Sequence, residues 1–261
     1  MIKKNIFTVI VTFNSIKWIE KVIDSLKKSS LTTDIVIIDN GSKDGTINFI
    51  ENNHSSIILI KSKENIGFGK ANNLGIEIAL KNKSDYIFLL NQDAWVQEDT
   101  FDKLIRTAIR YPKYGILSPL HLNGKGDKLD ENFSHYAGPG YTSGLIDDYY
   151  LSNSKKEVYQ TKFVNAAAWF ITNKCAQKVG GFNPLFHMYG EDNNYLHRLK
   201  YHCFKVGIVP DCKIHHDRES SPKNKVFTEE FLIFKNRVIL NQSNPLKQEK
   251  FSVEYLLLLK E

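Results

Sequence analysis

The chain has 261 residues, 42% hydrophobic and 25% charged, the composition of a soluble globular protein long enough to bury a sizeable core without disulfides. Its cysteines, Cys175, Cys203 and Cys212, are odd in number and lack CxxC spacing, which excludes a zinc ribbon or a disulfide framework and fits a reducing compartment. The net charge of +6 comes from scattered lysines with no basic arm, which sets nucleic acid aside and leaves phosphorylated substrates or an anionic membrane face.

No signal peptide and no run of membrane-spanning length is read, so the chain is expected to be cytoplasmic. Ile6 to Val11 is an apolar, β-favouring run, as for a strand buried on both faces, ending in Thr12-Phe13-Asn14-Ser15. Asn14 or Ser15 is placed to cap a helix whose stripe is Ile16, Ile19, Val22, Ile23 and Leu26. Asp34 to Asp39 is a second strand, stopped by Asn40-Gly41-Ser42; Asp39 can accept from a pyrimidine base or a ribose, or cap its own turn. A third run, Ile57 to Ile60, leads to Asn65-Ile66-Gly67-Phe68-Gly69, whose glycines let backbone approach a ligand closely. The helix after it begins where an anion would be well placed.

Tyr86 to Leu90 is the fourth strand and runs into Asn91-Gln92-Asp93. Strand alternation would aim Asn91 and Asp93 the same way, an amide beside a carboxylate, suited to a hard divalent cation carrying a diphosphate. The alternative is a solvated loop. Strands alternating with helices predict a mostly parallel α/β sheet with right-handed crossovers, with Thr12, Asp39, Asn65 and Asp93 sharing the ligand-binding edge. The glycine run is neither a Walker loop nor a full GxGxxG pattern, which disfavours a dinucleotide fold.

Phe101, Leu104, Ile105, Ala108 and Ile109 predict a further helix ending before Pro112. Residues 121 to 160, polar and glycine-rich, read as a long loop or small insertion whose Tyr136, Tyr141, Tyr149 and Tyr150 either stack on a sugar or pack the loop down. Phe163 to Thr172 reads as buried strand, Val206 to Pro210 as the last strand, and Asp192 lies in the first turn of a helix, as a dipole partner or a general base. His215 and His216 point to opposite faces of extended chain, so at most one of them reaches the site; the alternative is a surface pair. Residues 226 to 261 read as helices closing in the leucine run 256–259, which packs on the body, meets a partner or touches a membrane surface.

With these motifs in this order, the chain resembles family-two glycosyltransferases of the GT-A fold, most like bacterial rhamnosyltransferase-like enzymes of surface polysaccharide synthesis. The likeness spans about residues 5 to 240. It implies a GT-A domain over 1–225, with a nucleotide-sugar half (1–98) and an acceptor half (99–225), and a helical extension over 226–261. Thr12, Phe13 and Asn14 look like the opening nucleotide loop, and Asp39, Asn40 and Gly41 like the base-contacting segment. Asn65, Gly67, Phe68, Gly69 and Asn73 resemble the next donor motif, with Lys70 added as a cation for the diphosphate.

Asn91-Gln92-Asp93 stands where the family has DxD, so Asp93 alone brings a full charge to Mg2+ or Mn2+, with Asn91 and His216 as helpers. Gly180-Gly181-Phe182 followed by Glu191-Asp192 resembles the acceptor-side block, with Trp169 on the same side and Asp192 as catalytic base. The implied reaction is inverting transfer from dTDP-rhamnose or a UDP-hexose to a glycan or lipid-linked acceptor, at the inner face of the cytoplasmic membrane if the C-terminal helices touch it. The alternative is a catalytically silent nucleotide- or sugar-binding subunit of an assembly complex. A nucleotidyltransferase is disfavoured because no glycine- and lysine-rich loop follows the first strand.

Overall fold

The computed structural model describes residues 4–187, 189–218, 235–241 and 243–246. The chain runs β1 (Ile6–Thr12), α1 (Ile19–Lys27), β2 (Asp34–Asp39), α2 (Thr46–Asn53), β3 (Ile58–Lys61), α3 (Phe68–Lys81) and β4 (Tyr86–Asn91). It continues β5 (Ala94–Val96), α4 (Thr100–Arg110), β6 (Tyr114–Asn123), α5 (Glu131–Ala137), α6 (Leu145–Tyr150) and β7 (Tyr159–Gln160). Last come β8 (Ala168–Thr172), α7 (Asn173–Val179), α8 (Glu191–Tyr201) and β9 (Lys205–His216).

The strands form a single sheet ordered β3-β2-β1-β4-β8-β6-β9-β5, with β7 pairing β9. The first four are parallel, as expected of strand–helix alternation. Beyond β4 the sheet is mixed: β8 is antiparallel to β4 and β6, β6 is parallel to β9, and β5 and β7 are antiparallel to β9.

Uniformly apolar strands arise because both faces are covered. Tyr86, Phe88 and Leu90 of β4 enter a core with Phe101 of α4, Ile19 of α1 and Phe170 of β8. Ile87 and Leu89 enter the opposite core with Val9, Trp169, Val179 of α7 and Tyr195 of α8. Each such side chain contributes about 1.5–3 kcal/mol on full burial. Helix α3 lies close on β1, since a Cβ added at Gly75 would stand 2.2 Å from Val9 Cγ1.

Several local expectations need correction. Helix α1 starts at Ile19 rather than Ile16, and neither Asn14 nor Ser15 caps it with a side chain. Ser15 serves through its carbonyl, which accepts from Trp18 and Ile19 N–H at 2.9 Å. The stretch 121–160 is not one loop: it holds the end of β6, then α5, α6 and β7. Strand β9 does not stop at Pro210. The β6–β9 ladder slips between Pro119 and Leu120 and resumes to His216, and a bulge is where strand proline is tolerated.

Residues 235–241 are helical, and beyond them Ser243 Oγ accepts from Asn194 Nδ2 of α8 at 2.9 Å. The leucine run 256–259, and with it the expected membrane contact, lies outside the described residues. Among the described residues no helix is long and apolar enough to cross a membrane.

Candidate active site

At the carboxyl edge of the parallel strands, the loops after β1 and β2 are knitted together. The Asp39 carboxylate is buried and accepts from Gly41 N–H (3.0 Å), Ser42 N–H (2.8 Å), Ser42 Oγ (2.5 Å) and Thr12 Oγ1 (2.8 Å). Of the two roles read for Asp39, turn capping is the one the geometry displays. Asn14 Oδ1 accepts from Lys43 N–H, and Asn14 N–H donates to Ser42 Oγ, each at 2.8 Å. Asn40 N–H donates to the Thr12 carbonyl at 2.7 Å. Phe13 remains exposed, its N–H donating to Gln92 Oε1 at 2.7 Å, so Gln92 braces the β1 loop.

The glycines before α3 pack closely against another part of the chain. Gly67 has φ +88°, and a Cβ there would meet the His187 carbonyl oxygen at 2.5 Å. One added at Gly69 would stand 3.0 Å from Phe182 Cβ. On the Cβ side, the close approach is to the segment before α8. Asn73 clamps the same contact, its Nδ2 donating to the Phe182 carbonyl (2.9 Å) and its Oδ1 accepting from Phe182 N–H (2.6 Å). Asn65 Oδ1 accepts from Gly67 N–H at 2.9 Å, and Lys70 is exposed beyond. Trp169, expected on the acceptor side, is 0% exposed, donates Nε1–H to the Val164 carbonyl at 3.2 Å and packs on Phe182 and Tyr195. It is a core residue.

Asn91 ends β4 and Gln92-Asp93 form a turn, so alternation does not align Asn91 with Asp93. They converge on a third group instead. Strand β5 pairs with β9 in the register Ala94↔His216, and Asp217 N–H donates to the Asp93 carbonyl at 2.9 Å. His216 Nε2 thereby lies 3.3 Å from both Asp93 Oδ1 and Asn91 Nδ2. His215 faces away, stacked on Trp95 with centroids 5.4 Å apart beneath the Lys21 ammonium, and burial lowers its pKa. Of the two histidines, His216 reaches Asp93.

A divalent cation can be tested against this donor set. Neighbouring ligands about an ion with bonds of ~2.1 Å stand roughly 3 Å apart, close to the spacing of Asp93 Oδ1 and His216 Nε2. Among the described residues no third acidic, histidine or cysteine side chain completes a cage. One carboxylate and one imidazole beside an amide fit a cation site that the protein would fill only in part.

Asp192 lies at the start of α8, behind Gly190 in a left-handed conformation. Its Oδ2 accepts from Ala166 N–H at 3.1 Å, while Oδ1 is enclosed with no partner. Glu191 Oε2 and Asn165 Oδ1 are likewise enclosed and unpartnered. Burial, then the negative charge of Glu191, push the Asp192 pKa up to about 8; burial raises that of Glu191. A carboxyl with a free oxygen and a pKa near neutrality can exchange a proton with a ligand. Burial, then the charge of Asp192, raises the pKa of the Tyr136 phenol. Its ring packs edge-on against Phe163 and Tyr141, so it holds its segment down.

Sequence reading missed Asp130, Arg218 and His121. Buried Asp130 accepts from Arg218 Nε at 2.7 Å and faces His216, while His121 sits edge-on to His216 with centroids 6.0 Å apart. The available signal was Asp130 before Glu131 and Phe133, a helix start hidden in a stretch taken for loop.

The sequence pattern described as "Glycosyl transferase family 2" matches residues 8–175. The N-acetylglucosaminyl-diphospho-decaprenol L-rhamnosyltransferase of Mycobacterium tuberculosis is 23% identical, over 82% of this chain and 76% of the relative. Among solved structures, S. aureus TarS residues 1–349 superpose with TM-score 0.68 at 12% identity, over 94% of this chain and 67% of that one. The mannosyltransferase PcManGT of Pyrobaculum calidifontis, in complex with GDP-Man and Mn2+, superposes with TM-score 0.63 at 15% identity, over 99% of this chain and 68% of that one. These likenesses show the GT-A fold. With well over half its length matched, the chain belongs to glycosyl transferase family 2.

Proposed function

We propose that the protein transfers a sugar, with inversion, from dTDP-rhamnose or a UDP-hexose to a hydroxyl of a glycan or lipid-linked acceptor in bacterial cell-surface polysaccharide synthesis. The observation that carries the reading is Asp192: an enclosed carboxyl, anchored through one oxygen, free at the other, and raised to a pKa of about 8. The activity of the mycobacterial relative supports rhamnose as the sugar and a lipid diphosphate on the acceptor.

Asp192 takes the acceptor hydroxyl's proton as that oxygen bonds to the anomeric carbon. The bond from that carbon to the diphosphate oxygen breaks on the opposite face, and its electron pair leaves with the nucleoside diphosphate. One displacement inverts the centre. Asp93, Asn91 and His216 would hold Mg2+ or Mn2+; when bound, the cation offsets charge on the leaving diphosphate. The interlocked loops Thr12–Asn14 and Asp39–Gly41 and the turn at Asn65–Lys70 shape the donor floor, with Lys70 free to approach a phosphate. Donor and acceptor are assigned to residues 1–98 and 99–225, His216 crossing from the second half to serve the first. The work is placed at the inner face of the cytoplasmic membrane, where a lipid-linked acceptor would present its sugar.

Calorimetric titration of UDP, dTDP and GDP, with and without Mn2+, tests the donor site. Mn2+-dependent binding of UDP or dTDP is expected. Failure to bind any of the three would replace this reading with a silent subunit.

A further inference from the structure

We propose that Asp130 is a positioning residue for His216, holding the imidazole with its proton on Nδ1 and its Nε2 lone pair turned to Asp93. The inference rests on the cation role proposed for His216.

Both side chains are only 2% exposed, and they line one cleft of about 340 Å3 with Arg218 and the turn after β6. His216 Nε2 faces Asp93 Oδ1 and Asn91 Nδ2, each at 3.3 Å, and would have to present its lone pair there to share a cation with Asp93. An imidazole that ligates through Nε2 keeps its proton on Nδ1. That atom is buried without a hydrogen-bond partner, and the acceptor it faces is Asp130 Oδ2, at 3.5 Å. A small turn of either side chain closes the bond. The resulting carboxylate–imidazole pair fixes the tautomer and the aim of the opposite nitrogen, the arrangement that second-sphere carboxylates impose on ligating histidines.

The rival explanation is structural. Asp130 Oδ1 caps α5 by accepting from Phe133 N–H at 2.9 Å, and Oδ2 accepts from Arg218 Nε at 2.7 Å. Two substitutions separate the roles. Asp130→Asn keeps the cap, since asparagine caps as well as aspartate, and removes the charge facing Nδ1. Arg218→Gln removes the guanidinium and leaves Oδ2 free for His216.

The readout is the ring-nitrogen NMR spectrum of 15N-histidine-labelled protein at a pH where the imidazole is neutral, with the His216 signals identified by their loss in His216→Gln. Wild type and Arg218→Gln are expected to show the Nδ1–H tautomer, and Asp130→Asn a mixture. With Mn2+ present, Asp130→Asn is expected to weaken UDP or dTDP binding by about tenfold or more, with metal-free affinity unchanged. An unchanged His216 spectrum in Asp130→Asn, the same change in Arg218→Gln, or undiminished Mn2+-dependent affinity would each overturn the assignment. If wild-type binding proves independent of Mn2+, the cation reading falls, and the tautomer arm still decides what Asp130 does to His216.

Discussion

Asp192 behaves as its surroundings dictate rather than as a free carboxyl. Burial and the adjacent Glu191 keep it in the acid form up to about pH 8. Below that it carries its own proton, so kcat/KM should rise roughly tenfold per pH unit on the acid side and level off above the apparent pKa, which belongs to the Glu191–Asp192 pair. Stability runs the other way. The unfolded carboxyl titrates near about 3.9, the folded one higher, so the folded state binds the extra proton and loses stability as pH climbs between the two values. Asp192→Asn should therefore melt higher than wild type at about pH 9, while transfer falls by about a thousandfold and nucleotide affinity holds. A mutant that loses nucleotide binding would refute the base assignment. Asp93 makes the complementary prediction: Asp93→Ala should weaken Mn2+-dependent nucleotide binding by about tenfold or more and leave metal-free binding alone. Unchanged affinity with Mn2+ would count against it.

Helix α3 and the turn before it join the two ends of the site by steric fit. Gly75 leaves no room for a methyl group against Val9, Gly67 leaves none against His187, and one at Gly69 would press on Phe182 Cβ at 3.0 Å. Gly75→Ala should cost about 1–3 kcal/mol through overpacking, read as a lower urea midpoint. Trimming the opposing side chain in Val9→Ala/Gly75→Ala should give a loss smaller than the sum of the single losses. Strict additivity would show that α3 does not press on β1 as the geometry requires. Strand β9 carries another lesson at this scale. Its apolar run looks finished at Pro210, because a proline ends most ladders. A bulge absorbs the prolines and carries the strand to His216.

For the whole molecule, the protein's donors for a cation are few, with only Asp93 fully charged beside His216 and Asn91 among the described residues. Mn2+ should therefore bind the protein alone weakly, and UDP or dTDP should raise its affinity by the factor by which Mn2+ raises theirs, since linkage is reciprocal. Tight Mn2+ binding without nucleotide, seen by calorimetry, would contradict a jointly held cation. The sequence by itself determined the strand–helix alternation, the parallel order of the first half, the shared edge of Thr12, Asp39, Asn65 and Asn91-Gln92-Asp93, and the placement of Glu191-Asp192 in a helix's first turn. Those are local properties: side-chain periodicity, turn residues and the handedness of crossovers act over a few tens of residues at most. Only the tertiary structure decided that His216 rather than His215 meets Asp93, that Asp130 and Arg218 stand behind it, that Trp169 belongs to the core, and that the Gly67 turn packs against His187. Those contacts join residues as much as 125 apart, as between Asn91 and His216. Their partners are chosen by the register of β5 on β9, in which a slip of one residue would exchange the faces of the two histidines.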